Sequence, residues 1–123
     1  NMAIPSGSGT EVLKVAYGNN VDDTAFSLTC PQNHIYIILS IFVQNRMSST
    51  VNLQIDNVHP ATGSPVTYSF VNTQPLTAKQ TFIWNDRFVL SGTTSEGSKV
   101  QIYTAADGDN VDVTVTYIDQ DWT

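Results

Sequence analysis

Hydrophobic residues in this 123-residue chain recur mostly at every second position, in short runs separated by turn-forming residues. A period of two marks a strand with one buried face, because successive side chains on a pleated backbone point to opposite sides. The last run is the plainest case. Val111, Val113, Val115 and Tyr117 fall on one side, and Asp112, Thr114, Thr116 and Ile118 on the other. Ala25–Cys30 alternates in the same way, placing Phe26, Leu28 and Cys30 on one face before Pro31, which cannot donate to a ladder, stops it. Val51, Leu53 and Ile55 alternate with Asn52, Gln54 and Asp56, which predicts a dry face and a wet one. Ile35–Val43 is apolar at nearly every position and predicts a central strand covered from both sides.

Shorter runs complete the pattern. Val12, Leu13, Val15 and Tyr17 form a first strand that meets the turn signal Gly18-Asn19-Asn20, where a hairpin is expected. Val66–Val71, Thr81–Trp84, Arg87–Leu90 and Lys99–Thr104 add strands, divided by the Pro- and Gly-rich connection His59–Pro65, the break Pro75–Lys79 and the polar surface loop Ser91–Ser98. No helical period appears. About eight to nine short strands with frequent turn signals predict an all-β fold, an antiparallel β-sandwich or jelly roll. Immunoglobulin hallmarks are missing, since there is no second cysteine to pair across the sheets. The organisation expected is a flexible N-terminal arm (residues 1–10), a single sandwich domain (11–119) and a C-terminal tail (120–123).

Composition narrows the partners. Charged residues are 13% of the chain, about half the usual ~25% share, so solubility rests on Thr, Ser, Asn and Gln. Five basic residues against 11 acidic ones give a formal charge of −6, which repels a phosphate backbone, so no nucleic-acid partner is expected. Lys14, Arg46, Lys79, Arg87 and Lys99 are scattered and form no patch for an anionic membrane. The longest apolar run, broken at Ser40, falls well short of the ~20 residues that span a bilayer, so no membrane partner is expected either. Cys30 is the one cysteine; the chain must be stable without an internal disulfide, as suits a reducing compartment. Asn1 reads as an added residue before a natural start at Met2, and Met2–Thr10 lacks the basic start and apolar middle of a secretion signal, so synthesis in the cytoplasm is expected.

Candidate chemistry is sparse. Asp107, Asp109 and Asp112 gather the hard oxygen ligands that calcium prefers, but they lack an EF-hand spacing, and Asp107-Gly108 is an ordinary hairpin signal. They are weak metal candidates, and no cofactor is expected. Asp22-Asp23 and Asp119/Asp121 read as solvated charges that discourage strand pairing at an edge. Hydrolysis needs a nucleophile and a base held together, and the two histidines, His34 and His59, fall in predicted loops without a catalytic motif. Cys30 reads as a core residue, and the chain is expected not to be an enzyme. Partner contacts are the remaining chemistry: Ile4 and Pro5 in the arm, His59 and Pro60 in the connection, and the rings of Trp84 and Trp122. Trp122 stands in a polar tail where burial within its own chain is hard to arrange, which marks it as an anchor for another subunit. Trp84 with a tyrosine and the loop acids forms the alternative, a grip on a sugar.

A family resemblance runs over about residues 24 to 118. It rests on a strand ending at Thr29-Cys30-Pro31, the apolar strand Tyr36–Asn45, the turn and strand Leu76–Trp84, the short Phe88-Val89-Leu90, then Ser98–Tyr103 and the closing Val111–Ile118. In this layout the chain resembles small virion proteins of tailed bacteriophages, particularly those infecting cyanobacteria and marine bacteria. The resemblance implies a capsid decoration (cement) protein, or else a neck, tail or fibre-associated module, located in the virion. It implies the major capsid protein or other virion proteins as partners, and a homo-oligomer, a trimer ahead of a dimer. The linker Val58–Val66 and the extension to Trp122 depart from the family layout.

Overall fold

A computed structural model describes residues 10–92 and 97–123. Ile4 and Pro5 lie outside the described residues. Nine strands are found: β1 (Thr10–Val21), β2 (Phe26–Thr29), β3 (His34–Asn45), β4 (Val51–His59), β5 (Val66–Leu76), β6 (Thr81–Trp84), β7 (Phe88–Ser91), β8 (Lys99–Thr104) and β9 (Val111–Asp121). One sheet runs β1-β9-β3-β6 with β7 also on β3; the other runs β2-β8-β4-β5. Every pairing is antiparallel. The pairs nest: β1 with β9, β2 with β8, β3 with β6 and β7, β4 with β5. A long folded hairpin rolled up on itself gives this order, which is a jelly roll whose third strand partner is split in two.

The inward residues of both sheets form one core. Ile38, Ile41, Val43, Val111, Val113 and Val115 come from the larger sheet, and Val51, Leu53, Ile55, Val100 and Ile102 from the smaller. Asn45 is buried with them. Its amide donates to the carbonyls of Ser49, Leu76 and Thr77 at 2.9, 3.0 and 3.1 Å, and its Oδ1 accepts from Met47 N–H at 2.9 Å, so one side chain ties two turns together.

Several expectations change. The Gly18-Asn19-Asn20 signal is no hairpin: β1 continues to Val21 through a register shift and pairs with β9, while β2 belongs to the other sheet. A Cβ at Gly18 would lie 2.7 Å from the Phe26 ring, so the glycine makes room for that ring. Thr10 belongs to β1 rather than to an arm, and Gln120 and Asp121 belong to β9 rather than to a tail, because the two chain ends pair with each other from Thr10↔Asp121 inward. Asp56 is buried, not wet, although β4 keeps unbroken register with β8: it stays on the face of Gln54 and Tyr103, which close over it as it accepts from Tyr103 Oη and Gln54 Nε2, both at 2.8 Å. Ile35–Val43 is the central strand as expected, but only its inner face is closed; Phe42 on the outer face is exposed. Ser91–Ser98 is not wholly a surface loop either, because Gly92, Gly97 and Ser98 are buried against the Cys30–His34 turn.

Candidate functional site

Strand register decides which side chains share a face. Directly opposed residues point the same way, so each outward residue of β9 carries its neighbours on β1 and β3 with it. One row across the outer face of the larger sheet is Leu13, Ile118, Ile37 and Val89, contributed by four strands. Two rows away stand Tyr17, Thr114, Phe42 and Ile83, and between them Val15, Thr116 and Ser40. Leu13 is 65% exposed, Tyr17 74%, Val89 51%, Ile83 56% and Phe42 46%, values expected of surface lysines and not of large apolar groups. None of these three rows holds a charged residue. On β1, β9 and β3 charge stands only at the two ends of this face, with Glu11 held by Gln120 Nε2 at 2.8 Å and Asp112 held by Asn19 Nδ2 at 2.9 Å and Arg46 at 3.4 Å. Large exposed apolar groups gathered on one uncharged stretch of a sheet make it a candidate interaction surface.

β1 adds a second feature. Thr10–Val15 are exposed on both faces, because the smaller sheet does not reach over this end. The one cation there is turned inward: Lys14 Nζ donates to Asp119 Oδ2 at 2.8 Å, and that bond and the carboxylate's charge raise the lysine pKa above its ordinary value. Asp119 is itself buried and accepts from His34 Nδ1 at 2.7 Å on its other oxygen. Asp119 is therefore the buried hub of a Lys14–Asp119–His34 cluster, not a solvated edge charge. Sequence offered no sign of it, since its members are 105 and 85 positions apart.

The acids regroup as well. Asp107, Asp109 and Asp112 do not converge: Asp109 accepts from Ala106 N–H at 3.3 Å within its own turn, and Asp112 serves Asn19 and Arg46. Asp107 instead joins Asp22 and Asp23, with carboxylate oxygens within 4.8 Å of one another. Asp22 accepts backbone N–H bonds from Thr24 at 2.9 Å and Gly108 at 3.2 Å, which hold its pKa below the usual carboxylate value. This group fastens the β1–β2 connection to the β8–β9 connection.

The expected contact residues are largely used within the chain. Trp84 is stacked on Phe70 with centroids 5.5 Å apart, is met edge-on by Phe88, and donates Nε1–H to Asp86 O at 2.8 Å. The half-buried ring thus packs at the edge of the core between β5 and β6. Trp122 is half-buried on its own chain, its backbone N–H donating to Asn33 O at 2.9 Å, because β9 reaches past the β2–β3 turn. His59 ends β4 with Nδ1 2.6 Å from Ser98 Oγ, and Pro60 leads into buried Ala61, whose N–H donates to Gly97 O at 3.0 Å. His34 begins β3. No helix is present among the described residues, so none is long and apolar enough to cross a membrane.

No family model and no curated protein sequence matches the chain. Among solved structures it is similar to a subunit of the disulfide-linked pili that form Bacillus endospore appendages, at a TM-score of 0.52 and 12% identity, over 100% of this chain and 98% of that one. It is similar to a xylan-binding domain of CBM 22 at a TM-score of 0.50 and 12% identity, over 97% and 90%. A chain of infectious bursal disease virus, Gx strain, aligns more loosely, at 0.43 and 10% identity over 99% and 37%. At these identities the likeness concerns the fold alone, an antiparallel β-sandwich.

Proposed function

We propose that the chain is a structural subunit of a phage particle, a capsid decoration protein, which docks the outer face of its larger sheet on other particle proteins without a catalytic step. One observation carries this reading: the uncharged apolar row Leu13–Ile118–Ile37–Val89 and its parallel, Tyr17–Thr114–Phe42–Ile83, left open in a chain that has core enough without them. The kind of partner is taken from the resemblance of the strand layout to small phage virion proteins. Four strands at ~4.8 Å spacing and the three uncharged rows at ~6.8 Å make a face of roughly 20 by 20 Å, about half of the ~800 Å² per partner of a standard interface. Each copy adds the burial of its apolar groups, and particle symmetry repeats that gain over many copies.

Co-sedimentation with the phage's own capsids tests this. Val89→Lys and Ile83→Lys place a charge in the face at exposed positions, so the melting temperature stays within about 2 °C while capsid affinity falls at least tenfold. Full capsid binding by both variants, or none by the unmodified chain, would refute the proposal.

A further inference from the structure

A sheet has edges, and exposed N–H and C=O groups along a long, regular edge strand recruit other strands unless something blunts them. This sandwich has four edges, and three are blunted. β2 has four residues and ends two before Pro31. β6 and β7 have four residues each and are offset along β3. β5 is long, but it carries Pro75, a left-handed Thr73 (φ 54°) and register shifts against β4. β1 differs. It is regular against β9 from Thr10 to Gly18, contains no proline, and is apolar on its outer face at Leu13, Val15 and Tyr17. Its lysine, the residue that ordinarily guards an edge, is drawn away to Asp119.

We propose that β1 pairs with β1 of a second copy, antiparallel about a two-fold axis, so that the larger sheets of two molecules become one continuous sheet. This rests on reading the chain as an assembly subunit, and it specifies how copies join. The occupant follows from the edges: a strand is best met by a strand of similar length and regularity, and among the described residues only β1 qualifies. A two-fold axis normal to the sheet keeps the outer faces on one side, so Leu13, Val15 and Tyr17 can meet only one another. With the axis at Val15, Leu13 faces Tyr17 of the partner subunit and Val15 faces its own copy. Lys14 then faces Ala16 and avoids a like charge. Contact between identical patches closes at two copies and builds no filament. The two docking faces merge into one of double width.

Sedimentation equilibrium of the purified chain is expected to show a monomer–dimer equilibrium, with Val15→Lys raising the dissociation constant at least tenfold while circular dichroism, and melting at concentrations where the unmodified chain is monomeric, stay unchanged. In a Cys30→Ala background, Val15→Cys is expected to form a disulfide dimer on mild oxidation, whereas Val89→Cys, at the far side of the sheet, does not. Hydrogen exchange on the unmodified chain gives a readout independent of variants: every second β1 amide slows as concentration rises. A monomer at all concentrations overturns the inference. So does a trimer, or a dimer that ignores Val15→Lys and cross-links through Val89→Cys, which would mean packing face to face. Val89→Lys leaves β1 untouched, so loss of capsid docking and loss of pairing are read separately.

Discussion

Cys30 lies in the core with 1% of its surface exposed, and its thiol donates to the His34 carbonyl at 3.2 Å. Desolvation pushes its pKa up to about 11, so hardly any thiolate exists at neutral pH. A thiol-specific reagent such as dithiobis(nitrobenzoate) is therefore expected to leave the native chain unlabelled at pH 8 and to label one equivalent once denaturant unfolds it; rapid labelling of the folded chain would contradict the packing. Asp22 shows the opposite displacement, since the N–H groups of Thr24 and Gly108 favour its ionised form. A carboxylate whose folded pKa is depressed contributes stability above its unfolded value, 3.8 here, and that contribution is lost as pH falls through the folded value. Asp22→Ala should lower the melting temperature at pH 7, and the gap to the unmodified chain should close on acidification below 3.8; a gap independent of pH would exclude this cause. The core role of Cys30 was legible from alternation before Pro31. The partners of Asp22 were not, because Gly108 lies 86 positions away.

Between elements, glycines mark where backbones touch. A Cβ on Gly92 would lie 1.9 Å from the Pro31 carbonyl oxygen and 2.7 Å from that of His34, and Gly92 N–H also donates to His34 O at 2.9 Å. Gly97 has φ 59° and would place its Cβ 2.2 Å from Cys30 O. Together they let the segment after β7 lie on the turn between β2 and β3. Gly108 also has a positive φ, 87°, but nothing lies within 4 Å of its Cβ position. Gly92→Ala should cost roughly 3 kcal/mol or more, since backbone must move, and Gly108→Ala only about 1 kcal/mol, for the dihedral alone. Urea denaturation of the two variants checks the order, and equal losses would refute it. Both glycines read in sequence as loop signals of the same kind. Pattern located them, but only the fold separates a glycine that needs space from one that needs a dihedral.

At the scale of the molecule, the same alternation that builds the core leaves a second apolar surface. β9 presents Val111, Val113, Val115 and Tyr117 inward, and its outward Ile118 would be unremarkable alone. Register sets Ile118 between Leu13 and Ile37, with Val89 beyond, and so turns scattered residues into a face fit for docking. The expected contact residues Trp84 and Trp122 are, conversely, half-buried by their own chain. Each is brought against a distant segment of its own chain, Trp84 onto Phe70 and Trp122 beside Asn33.

Sequence by itself determined that the chain is all strand, which residues of most strands face inward, and that the sheets close over a core without a disulfide, because a period of two is a local property of the backbone. Tertiary structure alone decided that β1 pairs with β9 rather than turning into β2, that Asp119 is buried between Lys14 and His34, and that one face and one edge stay open. Those depend on which distant strands lie side by side, and pairing across about a hundred residues leaves no periodic trace in either strand.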